Sequence, residues 1–156
     1  TFTGVILDYG CGTAAISLNW QRSFAPQARL CLADLDNLPR EFVQYEAAQH
    51  PEYRVEFHDI ALDTLDDRSV DLLMCIDVLE HLPHPSDTFR LLHRKLRSGG
   101  ILLLQAPWGG HPEHLDEAPL DWESNGGQAL LDRDYNLLAA MNPNALSGIY
   151  AKRLVD

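Results

Sequence analysis

Four acidic residues and two glycines of this chain are spaced so that they could bind one small molecule. Each acid follows a short apolar run; the four are Asp8, Asp34, Asp59 and Asp77. Gly10 and Gly12 come just after the first acid, one residue apart. Carboxylates accept hydrogen bonds from hydroxyl and amino groups, and glycine, which has no Cβ, lets a ligand approach the backbone. The pattern predicts a ligand site made of a backbone turn and acidic strand ends.

A second group of residues could carry out acid–base chemistry. Glu80 and His81 follow the fourth acid closely, and His111 and His114 lie in a polar segment further along the chain. Imidazole accepts a proton at neutral pH, so the three histidines are candidate general bases. Carboxylates and imidazoles also bind divalent cations. Our expectation is that no metal binds, with Asp77, Glu80, His81 and His114 as the alternative ligand set.

Apolar runs alternate with amphipathic segments along the first two thirds of the chain. Strands are predicted at 5–8, 29–34, 53–59, 70–78 and 101–105, and helices at 13–24, 38–49 and 86–97. This order predicts an α/β fold, a Rossmann-like doubly wound and mostly parallel sheet with helices on both faces. Ligands of such sheets bind at the carboxyl ends of the strands, where the acids lie.

The predicted helices have apolar residues at helical spacing. Ile16, Trp20 and Phe24 form such a stripe in the first helix, and the second helix has Leu38, Phe42, Tyr45 and Gln49 along one side. We expect Asp36 to cap the second helix. After Trp108 the pattern weakens, and we expect a polar loop over 109–127, a helix over 129–140 and one last strand over 148–155. The sheet is therefore expected to lack part of a terminal hairpin.

Length, composition and charge narrow the function classes. The 156 residues suit one domain, 1–156, and no apolar run reaches the roughly 20 residues that a membrane-spanning helix needs. The net charge of -11 argues against a nucleic-acid partner and against an anionic membrane surface. Three cysteines are too few for a disulfide scaffold, so we expect reduced thiols and a cytoplasmic location. His50, His58 and His93 are expected at the surface.

The glycine turn alone leaves two ligand classes open. Gly10-x-Gly12-x-x-Ala15 fits the fingerprint of NAD-binding Rossmann enzymes, in which the turn approaches a pyrophosphate. An acid at position 8 would repel that group. The same acid would attract a cofactor that carries a positive charge instead.

The motifs together resemble those of class I S-adenosylmethionine-dependent methyltransferases, in the group with a Val-Leu-Glu-His-Leu segment. The resemblance covers roughly residues 5–108 and rests on five motifs in order: Asp8-x-Gly10-x-Gly12, Asp34, Asp59, Val78-Leu79-Glu80-His81-Leu82 and Leu96-Arg97-Ser98-Gly99-Gly100. It differs from the usual pattern at Ala14, where a glycine is common, and at Ser98, where a proline is common.

The resemblance implies that S-adenosylmethionine is the cofactor. By position, Asp34 would bind the ribose hydroxyls and Asp59 would face the adenine amine. The implied cofactor-binding residues are Asp8, Gly10, Cys11, Gly12, Asp34, Leu35, Asp59, Ile60, Ile76 and Asp77.

The expected function is methyl transfer to a small-molecule acceptor, with oxygen slightly favoured as the acceptor atom. Members of the group usually have helices before the first strand, and we expect this domain to lack them. One alternative is therefore a truncated or non-catalytic cofactor-binding module, associated with other domains of a longer chain or with a second copy. Another is a metal-dependent RNA 2′-O-methyltransferase, since those enzymes have a related Glu-x-x-Glu-His segment. The last alternative is an NAD-binding enzyme.

Overall fold

Seven strands and five helices make up the protein, in a computed structural model that describes residues 2–142 and 145–154. The strands are β1 (Val5–Tyr9), β2 (Arg29–Ala33), β3 (Val55–His58), β4 (Val70–Ile76), β5 (Leu96–Ala106), β6 (Tyr135–Ala140) and β7 (Leu146–Lys152). The helices are α1 (Ala15–Phe24), α2 (Leu38–Gln49), α3 (Pro85–Lys95), α4 (Glu117–Ser124) and α5 (Gly127–Asp134), and a 3₁₀ turn spans Leu79–His81.

The strands form one sheet in the order β3-β2-β1-β4-β5-β7-β6. The first five strands run parallel, and β7 pairs antiparallel with both β5 and β6. The strand order reverses at β1, which lies between β2 and β4, so the carboxyl end of β1 is the point where a ligand crevice opens. The predicted α/β fold with a mostly parallel sheet is confirmed.

The end of the chain differs from its prediction. We expected one helix over 129–140, but helix α5 ends at Asp134 and strand β6 follows it. The segment 109–127, which we expected to be a loop, contains helix α4. The prediction failed because leucine and alanine favour helices locally, whereas here the backbone of 135–140 is paired with β7. The terminal hairpin expected to be incomplete is therefore present as β6 and β7. Val155, the predicted end of the last strand, lies outside the described residues.

Most of the hydrophobic core lies on the face of the sheet covered by α3, α4 and α5. Phe89 of α3 and Trp122 of α4 are buried there with their ring centroids 5.0 Å apart. Trp108, just after β5, packs against the same core with its ring centroid 6.0 Å from that of Trp122. These contacts hold the carboxyl ends of β4 and β5 in place.

Helix α1 covers the other face in an orientation that its apolar stripe did not predict. Ile16 and Phe24 are 58% and 68% exposed, and the buried positions of the helix are Ser17 and Gln21. Gln21 donates from Nε2 to the carbonyl oxygen of Ala28, 2.8 Å away. Trp20 of the stripe is partly buried against the core, so this helix is oriented by that contact together with the buried hydrogen bonds at its polar positions.

Helix α2 also departs from its prediction. Leu38, Phe42 and Tyr45 of its expected stripe are exposed, and Val43 is the buried residue of the helix. The N-cap is Asn37 rather than Asp36, because the Asn37 side chain accepts a hydrogen bond from the backbone of Arg40 at 3.1 Å. Within the described residues, none of the helices is both long enough and apolar enough to span a bilayer.

Candidate active site

The turn after β1 opens toward solvent at one of its glycines. Gly10 and Gly12 have left-handed φ values of 69° and 52°. A Cβ on Gly10 would lie 2.4 Å from Cγ2 of Val78, so packing against the β4 side requires glycine there. A Cβ on Gly12 would meet no atom within 4 Å. The backbone at Gly12 is thus accessible to a ligand.

Asp34, directly after β2, holds this turn in place. Its Oδ2 accepts a hydrogen bond from the backbone of Gly12 at 2.6 Å, and its Oδ1 accepts one from the backbone of Leu35 at 2.7 Å. Asn37 donates to the same Oδ1 from Nδ2 at 3.2 Å. The glycine turn is therefore in direct contact with the acid that lies 22 residues further along the chain.

Asp8, inside β1, presents a buried carboxyl group beside the turn. It is 8% exposed, and Ser17 of α1 donates a hydrogen bond from Oγ to its Oδ2 at 2.5 Å. Burial raises the pKa of Asp8 to about 6, the Ser17 hydrogen bond opposes this increase, and the nearby Asp34 charge adds to it. A positively charged ligand group at this carboxyl would reverse that shift.

A cavity of about 230 Å³ lies where Asp8 and the turn meet the end of β4. It is lined by Asp8, Gly10, Cys11, Thr13, Ala15, Ile16, Met74, Ile76 and Asp77. Two of these residues are acidic and none is basic. The lining suits a ligand with a positive charge, such as the sulfonium and amino groups of S-adenosylmethionine, and does not suit a pyrophosphate, which needs cationic or amide donors.

Asp77 ends β4 in an unusual backbone conformation. Its φ is 54°, a left-handed value that aspartate tolerates better than most side chains. Gln105 of β5 donates from Nε2 to its Oδ1 at 2.8 Å, and its own N–H donates to the carbonyl of Gln105 at 3.0 Å. The two strand ends are thereby joined at the cavity wall, and strain of this kind clusters at functional sites.

Five of the predicted cofactor residues do not line the cavity; they are Gly12, Asp34, Leu35, Asp59 and Ile60. Leu35 and Ile60 are 58% and 40% exposed, and the side chain of Asp59 is 86% exposed. Arg40 of α2 pairs with Asp59 at 3.2 Å and donates to the carbonyl of Asp34 at 3.1 Å. The sequence patterns did not identify Arg40, Ser17 or Gln105, because their roles depend on contacts between separate elements.

The histidine cluster, defined as Glu80, His81 and His114, lies close enough to Asp77 for the Asp77 charge to act on Glu80. One ligand-capable atom from each residue lies within 4.8 Å of the others. Nδ1 of His81 is 3.0 Å from the carbonyl of Glu113, and Nδ1 of His114 is 2.9 Å from that of Gly109. Because a carbonyl only accepts, Nδ1 is the donor in both rings, and Nε2 is left as the free base.

Glu80 is the unusual member of the cluster. It is 1% exposed, and neither carboxylate oxygen has a hydrogen-bond partner among the residues that the structure describes. Its nearest base, Nε2 of His81, is 3.9 Å from Oε1, too far for a hydrogen bond. Burial raises its pKa, and the nearby Asp77 charge contributes to the increase. Such a group needs a proton, a cation or a donor from a ligand.

The remaining candidates lie further from this cluster. The His111 ring lies tilted against the His114 ring with centroids 5.3 Å apart, so it borders the cluster. Asp77 does not belong to the group of ligand atoms and faces the cofactor cavity instead. Of the alternative metal set, the structure therefore brings together Glu80, His81 and His114 without Asp77.

Comparisons with known proteins agree on one family. Residues 7–104 match the model of the methyltransferase domain family. A ubiquinone biosynthesis O-methyltransferase of Pseudomonas syringae pathovar tomato is 28% identical over 96 residues, or 61% of this chain and 40% of that relative. One of the same description from Xanthomonas oryzae pathovar oryzae is 33% identical over 101 residues, or 64% of this chain and 41% of that relative. The chain thus spans about two fifths of the length of these relatives.

The fold is shared with solved structures of low sequence identity. A SAM-dependent methyltransferase from Aquifex aeolicus superposes with a TM-score of 0.69 and 17% identity, over 96% of this chain and 81% of that one. At this identity the likeness concerns the fold alone. It includes the antiparallel hairpin, because the superposition extends over nearly the whole chain.

Proposed function

The chain belongs to the class I S-adenosylmethionine-dependent methyltransferases, and we propose that it transfers the cofactor's methyl group to a small-molecule acceptor, with oxygen as the favoured atom. The observation that carries the proposal is the cavity beside Gly10 and Cys11 of the turn, which is lined by the buried carboxyl of Asp8 and by no basic residue. The O-methyltransferases that the chain resembles support an oxygen acceptor. Because the chain matches only part of those relatives, we do not propose that it shares their substrate.

The proposed cofactor site uses the residues around the glycine turn. S-adenosylmethionine would supply a methyl group on a sulfonium. In one step the acceptor would bond to the methyl carbon and S-adenosylhomocysteine would leave. Asp8 and the accessible backbone of the glycine turn would bind the charged methionine part, and Asp34 and Asp59 would bind the ribose and adenine. Proximity and alignment account for most of the rate in such a displacement.

The proposed acceptor side is the histidine cluster. A hydroxyl acceptor must lose a proton during transfer, and the free Nε2 of His81 or of His114 can take it, because the Nδ1 atom of each ring is committed to a carbonyl. His111 is the third candidate and would act through its position beside His114. Glu80 would stabilise an imidazolium formed next to it.

The histidine cluster has a second possible use, as a site for a divalent cation. The buried Glu80 oxygens, which have no hydrogen-bond partner within residues 2–142 and 145–154, favour it, since one ion would bind the carboxylate and the imidazoles together. The two uses differ in one measurement: a chelator abolishes methyl transfer if a cation is required and leaves it unchanged if a histidine acts as the base.

Binding of S-adenosylhomocysteine tests the proposed function directly. We expect this ligand to raise the melting temperature and to bind with 1:1 stoichiometry in a calorimeter, whereas NAD gives no shift. Incubation with S-adenosylmethionine labelled in the methyl group and a panel of small phenols and catechols then identifies the acceptor. A well-folded sample that binds S-adenosylhomocysteine but methylates no acceptor would support the non-catalytic alternative. One that binds neither cofactor, or only NAD, would overturn the proposed cofactor site.

A further inference from the structure

A second cluster of possible metal ligands lies on β2 and β3, away from the cavity. Cys31 pairs in register with Glu56, and His58 follows two residues later on the same strand. Alternate residues of a strand share a face, so all three side chains project from one side of the sheet. We propose that Cys31, Glu56 and His58 bind a zinc-type divalent cation through one sulfur, one carboxylate oxygen and one imidazole nitrogen.

The distances suit a shared ion. One ligand atom from each of the three residues lies within 4.8 Å of the others. Nε2 of His58 and Oε2 of Glu56 are 3.7 Å apart, which is beyond hydrogen-bond distance and compatible with two ligands on one metal. Cys31 is fully buried and forms no disulfide, so its sulfur is available to a metal.

His58 provides the independent sign that something binds here. It is 7% exposed, and its Nε2 is buried without a hydrogen-bond partner in the part of the chain that the structure describes. Nδ1 lies 2.9 Å from Oγ1 of Thr64. If Nδ1 donates to that hydroxyl, Nε2 presents a lone pair toward Cys31 and Glu56, which is how a ligating histidine is held by an outer partner. Its burial also corrects the expectation that His58 is a surface residue.

The donor set selects the kind of cation. Sulfur and imidazole favour Zn²⁺ and Co²⁺ over Mg²⁺ and Ca²⁺, which prefer oxygen ligands alone. Three protein ligands leave a fourth tetrahedral position for water. When the sulfur–metal bond forms, the Cys31 thiol releases its proton to solvent. Glu56 also lies 3.5 Å from Arg29, and both side chains are half exposed, so that pair can separate without a large cost.

Glu56 of the cluster, on the edge strand β3, also lines a cavity. This cavity of about 390 Å³ is lined by Arg29, Tyr53, Arg54, Val55 and Glu56. The ion would join two strands whose next residues are Asp34 and Asp59, the acids on the adenosine side of the proposed cofactor site. We infer a structural ion that keeps these two strand ends at a constant separation.

Cobalt titration of the whole chain tests the site without any methyl acceptor. One equivalent of Co²⁺ should produce a near-ultraviolet sulfur-to-cobalt absorption band together with visible bands of tetrahedral cobalt. C31A should abolish the ultraviolet band, and C75A, which changes a buried cysteine outside the cluster, should retain it. Cobalt bound to the histidine cluster cannot mimic this signal, because that cluster contains no sulfur.

Glu56→Gln keeps the test decisive if the buried variants fail to fold. Glu56 is exposed, so this variant should fold as the wild type does. Loss of a direct ligand should lower the affinity for Co²⁺ at least about 100-fold, because loss of an outer-sphere partner alone can lower metal affinity by that factor. The absence of the sulfur band in the wild type, or an equal affinity in Glu56→Gln, would overturn the proposal. Neither result bears on S-adenosylhomocysteine binding, which tests the proposed function separately.

Discussion

Two buried carboxyl groups lie at the carboxyl ends of the neighbouring strands β1 and β4, and they differ in their hydrogen-bond donors. On the cofactor side, Asp8 accepts a hydrogen bond from Ser17, and the adjoining Asp34 accepts three donors. On the acceptor side, Glu80 has no donor among the described residues. The proposed cofactor side is thus preorganised, whereas the proposed acceptor side has a buried carboxylate that none of the described residues satisfies. Variants on the two sides should therefore fail in different assays.

The largest effect is expected on the acceptor side, in the rate. Replacing the histidine that serves as general base should lower kcat by about 100- to 10,000-fold, the usual contribution of such a group. H81Q and H114Q are measured on the acceptor that the wild type methylates, with H50Q as a surface control. The affinity for S-adenosylhomocysteine should stay within about twofold in each, because these rings lie outside the cofactor cavity. If both variants keep the full rate, or lose cofactor affinity instead, the proposed difference between the two sides is wrong.

The next largest effect is expected on the cofactor side, in binding. D34A removes the acceptor that ties Gly12 to β2 and that we propose for the ribose hydroxyls. Loss of two charge-assisted hydrogen bonds should lower the affinity for S-adenosylhomocysteine, measured by calorimetry, by about 100-fold or more. D36N, an exposed neighbour, is the matched control and should bind normally. An unchanged affinity in D34A would remove Asp34 from the site.

Asp8 should cost the empty protein stability at neutral pH. Its folded-state pKa is raised from 3.8 to about 6, so its favourable contribution is present below pH 3.8 and is lost as the pH rises through 6. Asn cannot ionise, and at about 1.4 kcal/mol per pKa unit D8N should be more stable than the wild type by about 3 kcal/mol at pH 7.5. In denaturant titrations the stability difference between D8N and the wild type should vanish near pH 4. D8N should also bind S-adenosylmethionine more weakly than the wild type. A destabilised D8N at pH 7.5 would contradict the buried-charge account.

The features that the sequence could predict are those encoded locally. Apolar runs followed by an acid located β1 to β4 and placed Asp8, Asp34 and Asp77 at or near their ligand-binding ends, because strand burial and strand termination both leave a signal within a few residues. The 22 positions from Gly12 to Asp34 fit one strand–helix–strand unit, but the hydrogen bond between these two residues was not predicted.

The features that escaped prediction depend on distant partners. Leu137 and Leu138 have helical propensity, but pairing of β6 with β7 makes their segment a strand. The orientation of α1 depends on Ser17 reaching Asp8 from another element, so the hydrophobic stripe gave the wrong face. Arg40 pairs with Asp59, which is 19 residues away, and His58 is buried next to Thr64 of the following loop. None of these contacts leaves a periodic pattern in the sequence.

A smaller effect is expected from the hydroxyl that satisfies Asp8. S17A removes the donor to Oδ2, which should raise the Asp8 pKa further and lower stability at pH 7.5 by about 2 kcal/mol, within the range for a hydrogen bond to a charged group. The loss should be smaller near pH 4, where Asp8 is protonated and the bond is neutral. S124A, which removes an exposed hydroxyl bonded to a backbone carbonyl, is the control. Equal losses at both pH values would show that Ser17 matters only for packing.

The smallest effect should come from Glu80, and it tests whether the acceptor side is incomplete. Burial raises its pKa, so its contribution to stability is present at low pH and is lost as the pH rises. E80Q should therefore melt above the wild type at pH 8 and alongside it at pH 4. Added Mn²⁺ or Zn²⁺ separates the two uses of the cluster: a cation site raises the melting temperature of the wild type and not of E80Q. A general-base site shows no such difference. If E80Q melts below the wild type at pH 8, Glu80 has a partner in solution and the contrast with Asp8 fails.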